Sequence, residues 1–299
     1  MRVYVTGGRG FVGSNLVAVL EAHGDEVVAP PSTEIDLTDA RAVARSVAAA
    51  EPDAIVHCAI LNDFERLYTD RRAGWAGYVE ATRNVVDASA GAHVILVSTD
   101  WVFDGTQSGA REDEPPNPIN AYGFLKAASE LVVEERAQRG AVARISGVQG
   151  IHRARPDTPR AQDAGFGYLV ASVVDALSAG RRFTVWDGPD INTIATPTLA
   201  TDAAELIRRM IELGRTGIHH CCGDEAISRT ELAQKAARAL DLDPDLLDFG
   251  PPPPQRFPIP YDTSLDGSAT AAALGVPAPS VDEQLRRFSR EVLRSRPSA

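Results

Sequence analysis

The stretch Thr6-Gly7-Gly8-Arg9-Gly10-Phe11-Val12-Gly13 decides the fold of this chain. It follows an apolar segment at residues 3–6, which predicts a strand, and it leads into a segment with helical periodicity. Gly7, Gly10 and Gly13 have the spacing that lets a backbone turn sharply from a strand into a helix and approach a pyrophosphate. Because the amino end of a helix is positively polarised, the stretch predicts a dinucleotide site.

Short β-branched segments alternate with helical segments through the first half of the chain. Strands are predicted at residues 3–6, 26–29, 54–58, 93–98 and 141–145, and helices from about residues 12, 39 and 122. The segment 93–98 is nearly all apolar, which is typical of a central strand covered on both faces. We predict an α/β fold with a Rossmann-type doubly wound parallel sheet, and about six parallel strands by residue 150.

The sequence changes character after residue 150. The segment 151–167 is rich in arginine, proline and glycine and shows little periodicity, which predicts a loop into a second domain. We expect a dinucleotide-binding domain of residues 1–150, to which residues 182–215 or so return. A smaller C-terminal α/β substrate-binding domain would consist of residues 151–181 and 216–299.

Composition excludes several classes of function. The 299 residues are 44% hydrophobic and carry a formal charge of -11, which disfavours a nucleic-acid surface. No apolar run approaches the roughly 20 residues of a membrane span, so we expect a cytoplasmic protein. The odd number of cysteines predicts reduced thiols, and consecutive strand residues such as His219 to Cys222 point to opposite faces. No metal site is therefore predicted.

The residues after the second predicted strand indicate the choice of cofactor. A carboxylate there would hold the ribose hydroxyls of NAD, but the chain has Ser32 and Thr33. These hydroxyls and the guanidinium of Arg9 suit a 2′-phosphate, which favours NADPH. NADH is the alternative if Glu34 reaches the ribose.

Other residues complete the predicted cofactor site. Asp36 and Leu37 are expected beside the adenine, and Cys58 and Ala59 lie where the predicted strand at residues 54–58 ends. Phe11 and Val12 of the glycine stretch belong to the same site. The neighbouring His57 is expected to be a packed strand-end residue, because a lone histidine is a weak catalytic signal.

Tyr122 and Lys126 form the candidate catalytic pair. Their spacing of four places them on one face of a helix, one turn apart. A tyrosine has a pKa near 10, and a nearby ammonium can stabilise its phenolate. Thr99, at the end of the strand 93–98, can bind a carbonyl oxygen beyond the carboxyl edge of the sheet, with Ser98 as a second candidate.

These motifs together resemble the extended short-chain dehydrogenases, and within them the dTDP-4-dehydrorhamnose reductase branch. The motifs that carry the resemblance are the glycine stretch, Ile35-Asp-Leu-Thr-Asp39, Pro52-Asp-Ala-Ile-Val56, Ser98-Thr-Asp-Trp-Val-Phe-Asp-Gly105, Asn120-Ala-Tyr-Gly-Phe-Leu-Lys126, Pro197-Thr198 and Asp262-Thr-Ser-Leu-Asp266. The resemblance spans nearly the whole chain.

The resemblance implies a role for each candidate residue. Tyr122 would donate a proton, Lys126 would assist it and anchor the nicotinamide ribose, and Thr99 would bind the carbonyl. Asp100 and Trp101 are expected among the substrate contacts. The implied substrate is a nucleotide-linked sugar bound between the domains, and a homodimer is compatible with the branch.

The chain departs from the branch at several positions. Ile145-Ser146-Gly147 stands where a bulky Thr-Ser-Trp is usual, so one wall of the sugar pocket is expected to be missing. Tyr78 replaces an asparagine, Trp101 replaces a commoner tyrosine, and the stretch 63–77 is unusual in its charge.

Two other functions stay open. An epimerase or dehydratase shares the scaffold but usually adds carboxylates beside the strand-end hydroxyl. Asp100 follows Thr99, yet as an adjacent residue it is expected to point the other way. A non-catalytic subunit that keeps NADPH as a structural ligand is the alternative from a different class.

The arginines of the segment 151–167 concentrate positive charge in an acidic protein. Arg153, Arg155 and Arg160 lie just after the last predicted strand of the first domain, beside the expected cleft. We expect a mobile lid whose arginines bind the substrate diphosphate. A solvated loop with scattered charges is the alternative.

Overall fold

A parallel sheet forms the centre of the computed structural model, which describes residues 1–61, 63–156 and 161–295. The strands are β1 (Arg2–Thr6), β2 (Glu26–Val28), β3 (Ala54–His57), β4 (His93–Thr99), β5 (Gly140–Ile145), β6 (Val148–Gln149), β7 (Phe183–Trp186), β8 (Ile194–Ala195), β9 (Thr198–Leu199), β10 (Gly217–His220), β11 (Ile227–Ser228) and β12 (Leu247–Gly250). The central sheet has the order β2-β1-β3-β4-β5-β10, with parallel pairing throughout.

The helices cover both faces of this sheet. They are α1 (Phe11–Ala22), α2 (Ala40–Ala50), α3 (Phe64–Thr69), α4 (Arg71–Trp75), α5 (Ala81–Ala88), α6 (Ala121–Arg136), α7 (Leu169–Ser178), α8 (Ala200–Leu213), α9 (Arg229–Ala239), α10 (Ser268–Leu274) and α11 (Val281–Ser295), with a π-helical turn at Ala76–Glu80 and 3-10 turns at Asp100–Val102 and Pro244–Leu246. None of the helices in the described part of the chain has the length and apolar character that a membrane crossing needs.

The alternation of side chains along β1 shows how the two layers form. Val3 and Val5 pack into the cluster that contains Leu16 of α1 and Ile207 of α8. Tyr4, between them, joins the cluster of α2 and α5 on the other face. Because successive strand residues point to opposite faces, each strand supplies both layers, and the predicted doubly wound fold is confirmed.

The connections leave β1 in both directions across the sheet. The chain runs from β1 to β2 on one side, then returns to β3 on the other side and continues through β4 and β5. A crevice opens at such a switch point, beyond the carboxyl ends of the strands. The glycine stretch and Thr99 both lie at this edge.

The expectation of six strands by residue 150 was wrong. Five strands of the central sheet precede that residue, and the sixth is β10, which pairs with β5. The segment Val148–Gln149 pairs with β9 in a separate two-stranded sheet. Strand β10 lies at the edge of the sheet and has the sequence Gly-Ile-His-His. Because this sequence contains few apolar residues, hydrophobic periodicity does not predict the strand.

A second hydrophobic cluster lies on helices α7, α9 and α11. Short sheets border it, in which β7 pairs with β12 and β8 pairs with β11. The division into two domains stays a prediction. Within it, helix α8 packs on α1 as expected, whereas β7 pairs with β12 of the second cluster and β10 joins the central sheet.

Candidate active site

The glycine stretch forms a close cradle at the start of α1. Gly7 has a φ of 69°, and its carbonyl accepts a hydrogen bond from the Gly10 amide at 2.8 Å. A Cβ on Gly7 would lie 2.7 Å from the Ala59 amide nitrogen, and one on Gly13 would clash with the Gly7 carbonyl. No side chain caps α1, so its first amides stay available for phosphate oxygens. The cradle therefore fits a dinucleotide.

The segment after β2 carries the residues predicted to select the cofactor. A turn at residues 31–34 leaves Ser32 exposed, and Arg9 is exposed as well. Asp36 accepts hydrogen bonds from the amide and the hydroxyl of Thr38, at 2.9 and 2.8 Å. The Leu37 carbonyl accepts from Asn84 at 2.9 Å. Their roles at the cofactor stay predictions.

The two titratable side chains at the end of β3 have pKa values that keep them uncharged near pH 7. Burial lowers the pKa of His57 to about 3, and its Nδ1 lies 2.6 Å from the Thr6 hydroxyl. Burial raises the pKa of the Cys58 thiol to about 12. Both side chains are thus neutral near pH 7, in keeping with packing roles.

Tyr122 and Lys126 lie one turn apart on α6. Asn120 is the N-cap of this helix, and its side chain accepts a hydrogen bond from the Gly123 amide at 2.9 Å. The Lys126 ammonium donates to the Val97 carbonyl at 2.8 Å and lies 5.7 Å from the ring centroid of Tyr78. Burial lowers the pKa of Lys126 to about 8.

The pKa of Tyr122 is raised to about 12 in this structure. Burial is the main cause, the hydrogen bond with Thr99 opposes it, and the carboxylates of Asp100 and Asp163 add to it. The phenol therefore holds its proton throughout the neutral range. Stabilisation of a phenolate by Lys126 stays a prediction.

The expectation that Asp100 points away from Thr99 was wrong. The Thr99 hydroxyl donates to Asp100 at 3.0 Å, and the Ser146 and Thr263 hydroxyls donate to its other oxygen at 2.8 and 2.6 Å. Burial raises the pKa of Asp100 to about 6. The short turn Asp100–Val102 brings this carboxylate back toward the strand end.

Ser98 faces away from the site. Its hydroxyl donates to the buried carboxylate of Glu130, which also pairs with Arg144 at 2.8 Å. Thr99, at the next position, faces the cavity because strand residues alternate. Of the two predicted hydroxyls, the structure therefore places only Thr99 beside Tyr122.

Thr99 and Tyr122 open into a cavity of about 460 Å³. Aromatic side chains form much of its wall, namely Phe11, Phe64, Trp101, Phe166, Tyr168 and Phe257. Phe64 comes from the unusual stretch 63–77 and stacks on Phe257 with centroids 5.7 Å apart. The aromatic wall thus joins α3 to the segment that contains Phe257.

The departures from the branch shape this cavity. Gly147 has a φ of 51° and lines the cavity, and a Cβ there would lie 3.3 Å from the Cβ of Phe166. Phe166 therefore borders the position where the branch has a bulky residue. Tyr78 is buried on the π-helical turn, donates to the Leu61 carbonyl at 3.2 Å and meets Tyr122 edge to face.

Arg153 and Arg155 of the segment 151–167 lie apart from the cavity wall. Arg153 donates to Asn15 of α1 at 2.9 Å, and neither it nor Arg155 is among the residues that line the cavity. Arg160 lies outside the described residues. The role of these arginines in diphosphate binding stays a prediction, although Arg153 is engaged on the cofactor side.

The later part of the same segment is a fixed wall of the cavity. Gln162 donates to the Thr184 carbonyl at 2.6 Å and accepts from the Trp186 amide at 3.2 Å, and Phe166 is buried. These contacts anchor the described residues 161–167 in this structure, and a mobile lid over 151–167 stays a prediction. Asp163 also lines the cavity and was missed, although the glycines that follow it in Asp163-Ala-Gly-Phe-Gly167 signal a tight loop.

The residues His219 to Cys222 do not converge. His220 faces Arg144 at 3.4 Å, Cys221 packs in the main core beside Met210, and Cys222 packs in a different cluster. Within residues 1–61, 63–156 and 161–295, no three His, Cys, Asp or Glu side chains come together as a metal site would require.

Comparison with known proteins gives a match over nearly the whole chain. The family model described as the RmlD substrate binding domain matches residues 1–294. The dTDP-4-dehydrorhamnose reductase of Mycobacterium tuberculosis (strain CDC 1551 / Oshkosh) is 28% identical over 272 residues, which cover 88% of this chain and 83% of that protein. Methionine adenosyltransferase 2 subunit beta of Bos taurus is 28% identical over 255 residues, covering 81% and 72%.

A solved structure has the same fold. The dTDP-4-dehydrorhamnose reductase of Bacillus anthracis str. Ames, in complex with NADP, superposes with a TM-score of 0.83 at 24% identity. The superposition covers 97% of this chain and 99% of that one.

Proposed function

Because the chain belongs to the RmlD substrate binding domain family, we propose that it is an NADPH-dependent reductase of a carbonyl on a nucleotide-linked sugar. We propose a substrate of the same type as dTDP-4-dehydrorhamnose, the compound for which one of the relatives is named. The observation that carries the proposal is the position of Tyr122 and Thr99 at one cavity, at the edge of the sheet where the glycine cradle also lies. A carbonyl in that cavity would be within reach of both the phenol and a cofactor.

The cradle of Gly7, Gly10 and Gly13 would hold the pyrophosphate, and Arg9 with Ser32 would hold the 2′-phosphate. Lys126 would hold the nicotinamide ribose. Bound NADPH would supply the hydride that reduces the carbonyl carbon. These assignments leave the cavity for the sugar.

Tyr122 is the proton donor to the carbonyl oxygen. Its pKa of about 12 keeps the proton on the phenol at pH 7, so the group is ready to donate. Thr99 binds the same oxygen when its hydroxyl rotates from Asp100 toward the substrate. Asp100 then keeps the hydroxyls of Ser146 and Thr263 as donors, so the rotation does not leave the buried carboxylate unpaired.

The proposal is tested by mixing the protein with NADPH and dTDP-4-dehydrorhamnose. We expect one NADPH oxidised for each sugar nucleotide reduced, with slower turnover when NADH replaces NADPH. The same mixture without the sugar nucleotide is the control. An enzyme that binds both ligands and oxidises no NADPH would contradict the proposal.

A binding role as a subunit of another enzyme is the second candidate. The observation that favours it is the 28% identity with methionine adenosyltransferase 2 subunit beta over 81% of this chain. Tight NADPH binding without turnover of the keto sugar is the result that would select this candidate. The presence of both Tyr122 and Lys126 in one site favours the reductase.

We also expect the enzyme to work in the cytoplasm as a homodimer. Sedimentation velocity with and without NADPH measures the assembly, and a monomer under both conditions would remove the dimer from the proposal.

A further inference from the structure

The carboxylates of Asp100 and Asp163 both line the cavity beside Tyr122, but their oxygens are used differently. Asp100 is buried and accepts hydrogen bonds from three hydroxyl groups, with both of its oxygens engaged. A carboxylate offers about four acceptor positions, so little capacity remains for a ligand. Asp100 therefore has a structural role in the site, because it holds three hydroxyl groups by hydrogen bonds.

Asp163 is held by the loop that carries it. Its carboxylate accepts hydrogen bonds from the amides of Gly165 and Gly167. A Cβ on Gly167 would clash with Oδ2 of Asp163, so a larger residue at this position would displace the carboxylate. The loop is thus shaped around the carboxylate.

Arg229 anchors the same loop by hydrogen bonds from its buried side chain. Its side chain has no exposed surface, and it donates to the backbone carbonyls of Asp163 and Gly165 and to the Gln162 side chain. These bonds connect α9 of the second cluster to the cavity wall. Because the backbone of Asp163 is anchored at two carbonyls, its carboxylate has a defined place at the cavity.

The charge at the cavity surface is negative at pH 7. Burial raises the pKa of the Asp163 carboxyl to about 6, so most of it is ionised at pH 7, whereas none of the described residues that line the cavity is a lysine or an arginine. Arg229 offsets part of the charge from behind the wall. Two amide donors leave about two acceptor positions on this carboxylate, which lines the cavity. A ligand that enters must supply donors for them, since unpaired acceptors there cost binding energy.

We propose that Asp163 is a substrate-binding residue that accepts hydrogen bonds from hydroxyl or ammonium groups on the sugar ring. It thereby selects sugars with donor groups and disfavours sugars that carry a carboxylate at that place, because the like charges repel. This inference rests on the proposed function, since it assigns the sugar to the cavity.

The test is Asp163→Asn, with Asp190→Asn as the matched control. Asp190 is exposed and is not one of the residues that line the cavity. The KM for dTDP-4-dehydrorhamnose and the KM for NADPH are measured for each protein, and calorimetry gives the Kd of dTDP-rhamnose with NADP bound. We expect sugar KM and Kd to rise about 10- to 100-fold in Asp163→Asn, the range for hydrogen bonds to a charged group. The KM for NADPH should stay unchanged in Asp163→Asn, and all three constants should stay unchanged in the Asp190→Asn control.

The melting temperature and the NADPH affinity show whether the loop survives the substitution. If Asp163→Asn lowers either, Asp163→Glu decides, because it keeps a carboxylate for the amides but moves it by one methylene. Weakened sugar binding with normal NADPH affinity then supports the inference.

The two failures are distinguishable. Wild-type sugar KM and Kd in a folded Asp163 variant, with an active wild type, overturn the inference and leave the proposed function intact. A wild type that neither oxidises NADPH with the keto sugar nor binds dTDP-rhamnose overturns both.

Discussion

Replacing Tyr122 by phenylalanine separates the chemistry of the phenol from its packing. The ring centroid lies 5.2 Å from that of Phe64, 6.1 Å from that of Tyr78 and 6.0 Å from that of Trp101. Phenylalanine keeps these contacts and removes only the hydroxyl with its hydrogen bond to Thr99. One such bond contributes about 1 kcal/mol to the free energy of unfolding. The melting temperature should therefore change by only about 2 to 4 °C.

The effect on the reaction should be much larger. A positioned general acid contributes a factor on the order of 10² to 10⁴ to the rate. That factor equals about 2.7 to 5.5 kcal/mol of activation free energy, which exceeds the expected loss of stability. Because the pKa of Tyr122 is about 12, the phenol is protonated at pH 6 to 9, and the loss should be the same across that range.

The assay is steady-state oxidation of NADPH by dTDP-4-dehydrorhamnose, with the NADPH affinity and the melting temperature measured on the same samples. Tyr261→Phe is the control, because Tyr261 is 45% exposed and does not line the cavity. A Tyr122→Phe enzyme with more than about a tenth of the wild-type kcat would refute the assignment of the phenol as proton donor.

The remaining predictions concern the cofactor site and the arginine-rich segment. Lys126→Ala should lower kcat and weaken NADPH binding together, and a change in neither would remove this ammonium from the site. Arg9→Ala should raise the KM for NADPH and leave that for NADH nearly constant; equal changes would make the residue structural. Gly13→Ala should abolish NADPH binding because its Cβ meets the Gly7 carbonyl, whereas a Cβ on Gly250 makes only an ordinary contact, 3.5 Å from the methyl carbon of Thr184, so Gly250→Ala is the control. Trypsin cleavage within residues 151–167 should slow when NADPH and the sugar nucleotide are added together, and an unchanged rate would mean a passive loop.

The cofactor half of the site could be predicted because its signals are local in sequence. The glycine stretch needs only a strand before it and a helix after it, and both follow from periodicity over a few residues. Tyr122 and Lys126 share a helix for the same reason. Thr99 follows from the apolar run of β4, since ligands bind beyond the carboxyl ends of parallel strands.

The substrate half could not be predicted in the same way because distant segments build it. Asp163 reaches the cavity through a loop that Arg229 anchors from 66 positions further along the chain. The direction of Asp100 depends on Thr263, which is 163 positions away. Neither contact leaves a periodic signal in the sequence. Strand β10 was misplaced for a related reason, because its pairing with β5 depends on the sheet and not on its own polar sequence.

The ionisation of Tyr122 also bears on the choice between a reductase and an epimerase or dehydratase. The latter enzymes begin by oxidising their substrate, so their tyrosine must first accept a proton from a hydroxyl. Here burial, together with Asp100 and Asp163, raises the pKa of Tyr122 to about 12, so on the order of one phenol in 10⁵ is ionised at pH 7. A rare phenolate is a poor starting state for proton abstraction, whereas an abundant phenol is the correct one for proton donation. Asp100 and Asp163 therefore favour the protonated phenol in this structure, which is the form that donates a proton to a carbonyl oxygen.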